Sequence, residues 1–348
     1  MKKLFPVVIV GAMLFLAGCG ASSSPAPSSS SGTPSASEKQ PTIGVAIYKF
    51  DDTFMTGVRN AISTAAQGKA TVDIVDGQNS QPTQNDKIDL FLNKKVNALA
   101  INPVDLTAAG VIIDKAKAAN TPVVFFNREP MASDMQKWDK VYYVGAKAEE
   151  SGIMQGQILV DYWKAHPEMD KNKDGTMDVV ILTGEPGHPD AIARTKFSVQ
   201  AIQDAGIKVN ILAQDTAMWD RSKAQDKMAA FLGAQGEKIE AVLGNNDDMA
   251  LGAIEALKAK GYFANNKFMP VVGVDATAPG LQALKDGTLL GTVLNDAKNQ
   301  GTATLNLAVA LSKGLTPSKD NAGYEITDGK YVWVPYKKIL KANMADAQ

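Results

Sequence analysis

Short apolar runs alternate with longer amphipathic stretches over most of the chain. Strand-like runs occur at 43–48, 72–75, 98–101, 122–126, 141–144, 179–182, 209–212, 241–243, 271–274 and 292–294. Most are separated by 10 to 20 residues of helical character, such as 54–66 and 152–165. This rhythm predicts βα units and largely parallel sheets. The runs are apolar almost throughout rather than alternating, as expected for strands covered by helices on both faces.

Polar residues cluster just after these runs: Asp51 and Asp52, Asn102, Asn127, Gly184 to Asp190, Asn245 to Asp247, Asp275, and Asn295 with Asp296. Open parallel sheets bind ligands beyond the carboxyl ends of their strands. So many clusters at strand ends imply a binding site shared between two sheets. Taken one by one, each residue has a plainer reading. Asp51 or Asp52 suits a helix N-cap, and the asparagines suit turns. Pro189 suits the first turn of a helix, which sets Asp190 and Arg194 four residues apart on one face as a simple ion pair. Phe54 and Trp219 could equally be core aromatics.

The N-terminus changes the compartment. Lys2 and Lys3 precede an apolar run, 4–17, that is short for a membrane span. Residues 16–19, Leu-Ala-Gly-Cys, resemble a lipoprotein lipobox, so 1–18 is expected to be a signal peptide and Cys19 the lipidated first residue. Cys19 is the one cysteine, so no intrachain disulfide can form. Residues 19–40 are rich in Ser, Pro, Ala and Gly and read as a flexible tether. The remaining 300 or so residues suit two domains rather than one core. Without 1–18 the chain carries 34 basic and 37 acidic side chains, with no basic face to suggest nucleic acid.

Residues 170–178, DKNKDGTMD, place oxygen-bearing side chains at loop positions 1, 3, 5 and 9: Asp170, Asn172, Asp174 and Asp178. Gly175 occupies position 6. This is most of an EF-hand calcium loop. The closing glutamate is missing, because position 12 is Ile181. Either the loop is a solvated turn, or a distant carboxylate completes it.

From Thr42 onward the chain resembles the periplasmic galactose/glucose-binding proteins of bacterial sugar importers. The resemblance rests on strings in order: 47–52 (IYKFDD) with Phe54 and Met55; 124–127 (VFFN) followed by Glu129 and Pro130; 184–190 (GEPGHPD) with Ala193 and Arg194; 215–220 (DTAMWD); 245–247 (NND); 273–276 (GVDA); and 291–296 (GTVLND). It implies a two-lobed α/β fold, each lobe a mostly parallel sheet flanked by helices, joined by three crossing segments. The first lobe is expected at 41–147 with 296–331, and the second at 148–295 with 332–348. It implies Phe54 and Trp219 stacked on the two faces of a hexose. It implies Asp52 at O4, accepting from an equatorial or an axial hydroxyl and so tolerating both C4 epimers. Asn127, Asn246 and Asn295 become amide ligands. His188, Asp190 and Arg194 turn toward the sugar with Asp275 opposite, and Asp190, Arg194 and Asp275 are expected to dominate binding. It also supplies the missing carboxylate. Glu240 closes a structural Ca²⁺ site with Asp170, Asn172, Asp174, the Thr176 carbonyl and Asp178. Position 9 is often Gln in such relatives, so Asp178 adds a negative charge.

The implied function is capture of D-galactose or D-glucose by a monomer, with delivery to the membrane subunits of an ABC importer. The protein would be lipid-anchored at the cell membrane, facing periplasm or exterior. A chemoreceptor is a further candidate partner. A carboxylate-pair glycosidase using Asp190 and Asp275 is the enzymatic alternative. The sequence lacks a Walker A loop, GxGxxG, HExxH and GxSxG. A sugar-responsive repressor would need a DNA-binding segment where the lipobox and tether lie.

Overall fold

The computed structural model describes residues 39–347. The expected signal peptide, Cys19 and the tether up to residue 38 lie outside the described residues. The strands are β1 (Thr42–Ile47), β2 (Thr71–Asp76), β3 (Ala98–Ile101), β4 (Val123–Phe126), β5 (Val141–Gly145), β6 (Thr176–Thr183), β7 (Lys208–Thr216), β8 (Ala241–Gly244), β9 (Val271–Val272), β10 (Thr292–Leu294), β11 (Tyr331–Trp333) and β12 (Lys337–Ile339).

They form two lobes. The first holds a parallel sheet in the order β11-β5-β4-β3-β1-β2. The second holds a parallel sheet in the order β7-β6-β8-β9. Bridges from Val272 to Gly291 and from Asp275 to Leu294 carry that sheet on toward β10, which pairs antiparallel with β12. In each sheet the lobe's first strand lies between its second and third. Successive connections therefore leave in opposite directions, and a crevice opens beyond the carboxyl ends at that point.

The chain crosses between lobes after β5, after β10 and after β11. Val332 and Trp333 still pair with Val144 and Gly145, so the third crossing falls two residues beyond the expected end at 331. The apolar pattern predicts neither β11 nor β12. Each is three residues long, and KKI at 337–339 has a single apolar position. Their pairing is set by the tertiary fold rather than by local pattern.

The central strands β3, β4 and β8 bury every residue. Ile43, Val45 and Ile47 pack with Val58 and Ile62 of the helix Thr53–Ala66 on one side of the first sheet. Leu99, Ile101 and Phe125 pack with Ile112 and Ile113 on the other. Strand ends pass directly into helix N-termini, and polar caps occupy the junctions. Asp52 accepts from Met55 N–H, His188 from Asp190 N–H, and Asn246 from Met249 N–H. Such caps stabilise a helix by about 1 kcal/mol each, and here they stand at the mouth of the crevice. Among the described residues, no helix is long and apolar enough to cross a membrane.

Candidate functional site

The crevices of the two lobes face one small cavity. Asp52, Phe54, Asn127, His188, Asp190, Arg194, Trp219, Asn246, Asp275 and Asn295 all line it. These are the ten residues that the sequence resemblance assigns to a sugar. Tyr48, Met55 and Arg128 also line it and were not anticipated.

Two aromatics face the cavity from opposite lobes. Phe54 opens the helix after β1 and is 8% exposed. Trp219 follows β7, with His188 edge-on at 5.2 Å and the Arg194 guanidinium 5.8 Å from its ring centre. A Cβ on Gly184 would overlap the Trp219 indole, so the glycine gives the ring its place. Flat apolar faces with polar groups at the rim match a pyranose, whose ring faces carry C–H and whose edge carries hydroxyls.

The rim is charged and held by a network. Arg194, 3% exposed, donates to Asp190 at 3.0 Å, to the Asn245 carbonyl at 2.9 Å, to Tyr336 Oη at 3.1 Å and to Ser151 Oγ at 3.2 Å. The intrahelical pair of Asp190 and Arg194 is real and also lines the cavity, so the two readings of that spacing coexist. Burial pushes the Asp190 carboxyl up, opposed by Arg194 and Arg128. Burial pushes Asp275 well up, opposed by Arg194. His188 is driven well below its usual value, by burial first and then by Arg128 and Arg194. Burial and the two cations favour the neutral imidazole. Its Nδ1 accepts from Asp190 N–H at 3.1 Å, which leaves Nε2–H as the ring donor.

Amides and carboxylates are oriented by their neighbours. Asp52 accepts Met55 N–H at 2.8 Å on one oxygen and Tyr48 Oη–H at 2.5 Å on the other. It is both a cap and a cavity group. Asn102 donates to Asn127 Oδ1 at 3.0 Å, and Asn295 donates to Asp275 Oδ1 at 3.1 Å. Left-handed backbone gathers here too: Asn127 (φ 59°), Met218 (φ 55°), Trp219 (φ 62°), Asp275 (φ 120°) and Ala276 (φ 51°). Such conformations cost about 1–3 kcal/mol each in non-glycine residues and concentrate at ligand sites.

Arg128 joins the lobes. It follows Asn127 in the first lobe, is 3% exposed, and lies over the Tyr48 ring at 4.0 Å. It donates to the Val104 carbonyl at 2.9 Å and to Glu185 Oε2 of the second lobe at 2.8 Å. The available signal was a cation directly beside a strand-end asparagine.

The loop 170–178 lies away from the cavity, leading into β6. Asp170 accepts Asp174 and Gly175 N–H, Asn172 accepts Asp174 N–H, and Asp174 accepts Thr176 N–H. Glu240, 1% exposed, reaches the loop from the start of β8. Its oxygens accept Lys171 N–H at 2.7 Å and Asp178 N–H at 2.9 Å. Asn210 of β7 donates to Asp178 at 2.7 Å. Gly175 has φ 72°, as the turn requires. Among the described residues, no three His, Cys, Asp or Glu side chains gather as a ready metal cluster. The side-chain oxygens instead engage backbone N–H groups. The donor set is all oxygen, and Glu240 is tied to both ends of the loop, so these residues fit a hard cation such as Ca²⁺.

This fold and cleft define a two-lobed solute-binding protein. The sequence matches the periplasmic binding protein domain over residues 43–316, and the chain belongs to that family. It is 45% identical to the D-galactose/methyl-galactoside binding periplasmic protein of Haemophilus influenzae, over 87% of this chain and 91% of the relative. It is 33% identical to a putative rhizopine-binding protein of Rhizobium meliloti, over 88% and 92%. Among solved structures, it resembles an ABC transporter solute binding protein from Bacillus halodurans with bound myo-inositol. That match has a TM-score of 0.74 and 30% identity, and covers 88% of this chain and 96% of the other.

Proposed function

We propose that this chain captures D-galactose or D-glucose between its lobes and hands it to the membrane subunits of an ABC importer. The reading rests above all on one observation: both lobes direct aromatic, amide and charged side chains at a single small cavity. The name of the Haemophilus influenzae relative supports a galactose-type ligand.

In this reading Phe54 and Trp219 cover the two ring faces. Asp52, Asp190 and Asp275 accept from hydroxyls, and Arg194 and His188 Nε2–H donate to them. Asn127, Asn246 and Asn295 do both. Charge-assisted hydrogen bonds in a dry cleft are the strong kind. Closure is a hinge motion coupled to the ligand. Asp170, Asn172, Asp174, the Thr176 carbonyl, Asp178 and Glu240 would hold a Ca²⁺ ion. That ion would supply a structural crosslink within the second lobe. Cys19, lipidated, would anchor the body at the membrane through the tether. Presentation of the bound sugar to a chemoreceptor is compatible with the same closure.

A thermal-shift panel of monosaccharides tests the binding claim. Ligand at 1,000 times its Kd adds about 4 kcal/mol, or roughly 8 °C for a body of this size. Galactose and glucose should give such shifts, and a chromogenic galactoside should not be turned over. Turnover, or no hexose shift, would overturn the proposal.

A further inference from the structure

Asp247 stands behind the cavity, does not line it, and is fully buried. Four donors or tethers converge on it. Thr277 N–H donates to Oδ2 at 2.7 Å, Thr277 Oγ–H to Oδ2 at 3.0 Å, and Thr292 Oγ–H to Oδ1 at 2.6 Å. Its own N–H donates to the Val274 carbonyl at 2.7 Å.

These contacts bracket a strained segment. Asp275 and Ala276 both have positive φ, 120° and 51°, in two residues that are not glycine. Val274 precedes them and Thr277 follows them, and Asp247 binds both. Ala276 N–H donates to Thr292 Oγ at 3.2 Å, so the hydroxyl that reaches Asp247 also holds the middle of the turn. Asp275 N–H donates to the Val293 carbonyl at 2.7 Å. Left-handed backbone persists in such residues only where surrounding contacts over-determine it. Asp247 supplies those at Val274 and Thr277 and ties down Thr292, which holds Ala276.

Space leaves no substitute. A Cβ added to Gly273 would meet Asp247 Oδ1, and one added to Gly280 would meet Oδ2. The two glycines flank the carboxylate, and a side chain at either position would displace it. Burial also pushes the Asp247 carboxyl up to about 7, opposed by its hydrogen bonds from Thr292 and Thr277. A buried acid costs stability, and its contacts go to the two sides of one turn and to Thr292, which holds the middle of that turn.

We infer that Asp247 is a positioning residue for ligand binding: it fixes the Asp275–Thr277 turn and thereby aims the Asp275 carboxylate into the cleft. This rests on the proposed sugar site and extends it to a residue that touches no ligand.

The test is a double-mutant cycle read by calorimetry with D-galactose. Asp247→Asn and Thr292→Val each remove part of the network while keeping side-chain volume. Each should weaken binding at least tenfold. Combined with Asp275→Asn, neither should weaken it much further, because the group they aim is already lost. A role confined to folding would lower the melting temperature and leave galactose affinity unchanged, and an effect on binding independent of Asp275 would give losses that multiply. Thr292→Val serves if Asp247→Asn does not fold. Galactose binding that both variants leave unchanged, or losses that multiply with Asp275→Asn, overturn the inference while the sugar site stands. A parent protein that binds no hexose overturns the proposed function and this assignment with it.

Discussion

The ion pair between Arg128 and Glu185 spans the two lobes, and Glu185→Gln isolates it. The variant keeps an oxygen acceptor and the side-chain shape but loses the charge. Arg128 remains seated on Tyr48 and the Val104 carbonyl. Hydrogen bonds to charged groups stabilise by about 1.5–3 kcal/mol. The Glu185 side chain is 33% exposed, so water screens the pair and about 1 kcal/mol is the reasonable share, a fivefold effect. The pair can form only when the lobes meet, so the effect belongs in dissociation. Stopped-flow fluorescence, with Trp219 in the cleft as reporter, separates the rates. Glu185→Gln should raise koff about fivefold, leave kon within about twofold, and leave the unliganded melting temperature unchanged. A slower kon with unchanged koff would show instead that the charge steers the ligand. Wild-type rates would show that the pair does not hold the lobes.

Tyr48→Phe removes the 2.5 Å hydrogen bond that orients Asp52 and should weaken galactose and glucose alike by about fivefold, near 1 kcal/mol; a loss confined to one epimer in calorimetry would refute this. Asp52→Ala should weaken both further and also cost about 1 kcal/mol of stability through the lost helix cap, readable by urea titration. Glu240→Ala should lower the melting temperature in calcium to that of the wild type in chelator, with sugar affinity preserved; a wild type indifferent to chelator would refute the calcium staple. Burial, with Asp190 and Glu149 nearby, raises the Glu129 carboxyl from 4.5 to about 7. The fold therefore binds this proton more tightly than the unfolded chain does. Its contribution to stability is complete below pH 4.5 and is lost as pH rises through 7. Asp247 acts with the same sign. Glu129→Gln should flatten the melting temperature between pH 4.5 and 7, and an unchanged slope would refute the assignment.

The fold is legible where strands are buried throughout. The run at 98–101 coincides with β3, because continuous burial writes a continuous apolar run. The apolar run predicts 209–212, but β7 extends over Lys208–Thr216, since this edge strand buries no residue fully and carries polar ones. β9 was read as 271–274 but ends at Val272. There the backbone turns toward the left-handed Asp275, and no apolar pattern records a φ angle. The candidate site was visible as polar clusters at strand ends, but their convergence needed the resemblance. Arg128 escaped because its partner Glu185 lies 57 residues away in the other lobe, and Tyr48 because its hydroxyl meets Asp52 only once β1 has turned into its helix. Asp247 was noted only as part of NND. Its partners Thr277 and Thr292 lie 30 and 45 residues on.

Titration calorimetry with galactose, glucose, xylose and ribose, in calcium and in chelator, tests the central claim most directly. A cleft built as described should bind both hexoses tightly, and should bind the pentoses at least tenfold more weakly, because each pentose leaves buried polar groups unpaired. Pentose binding equal to or tighter than hexose binding, or no hexose binding at all, would contradict the account.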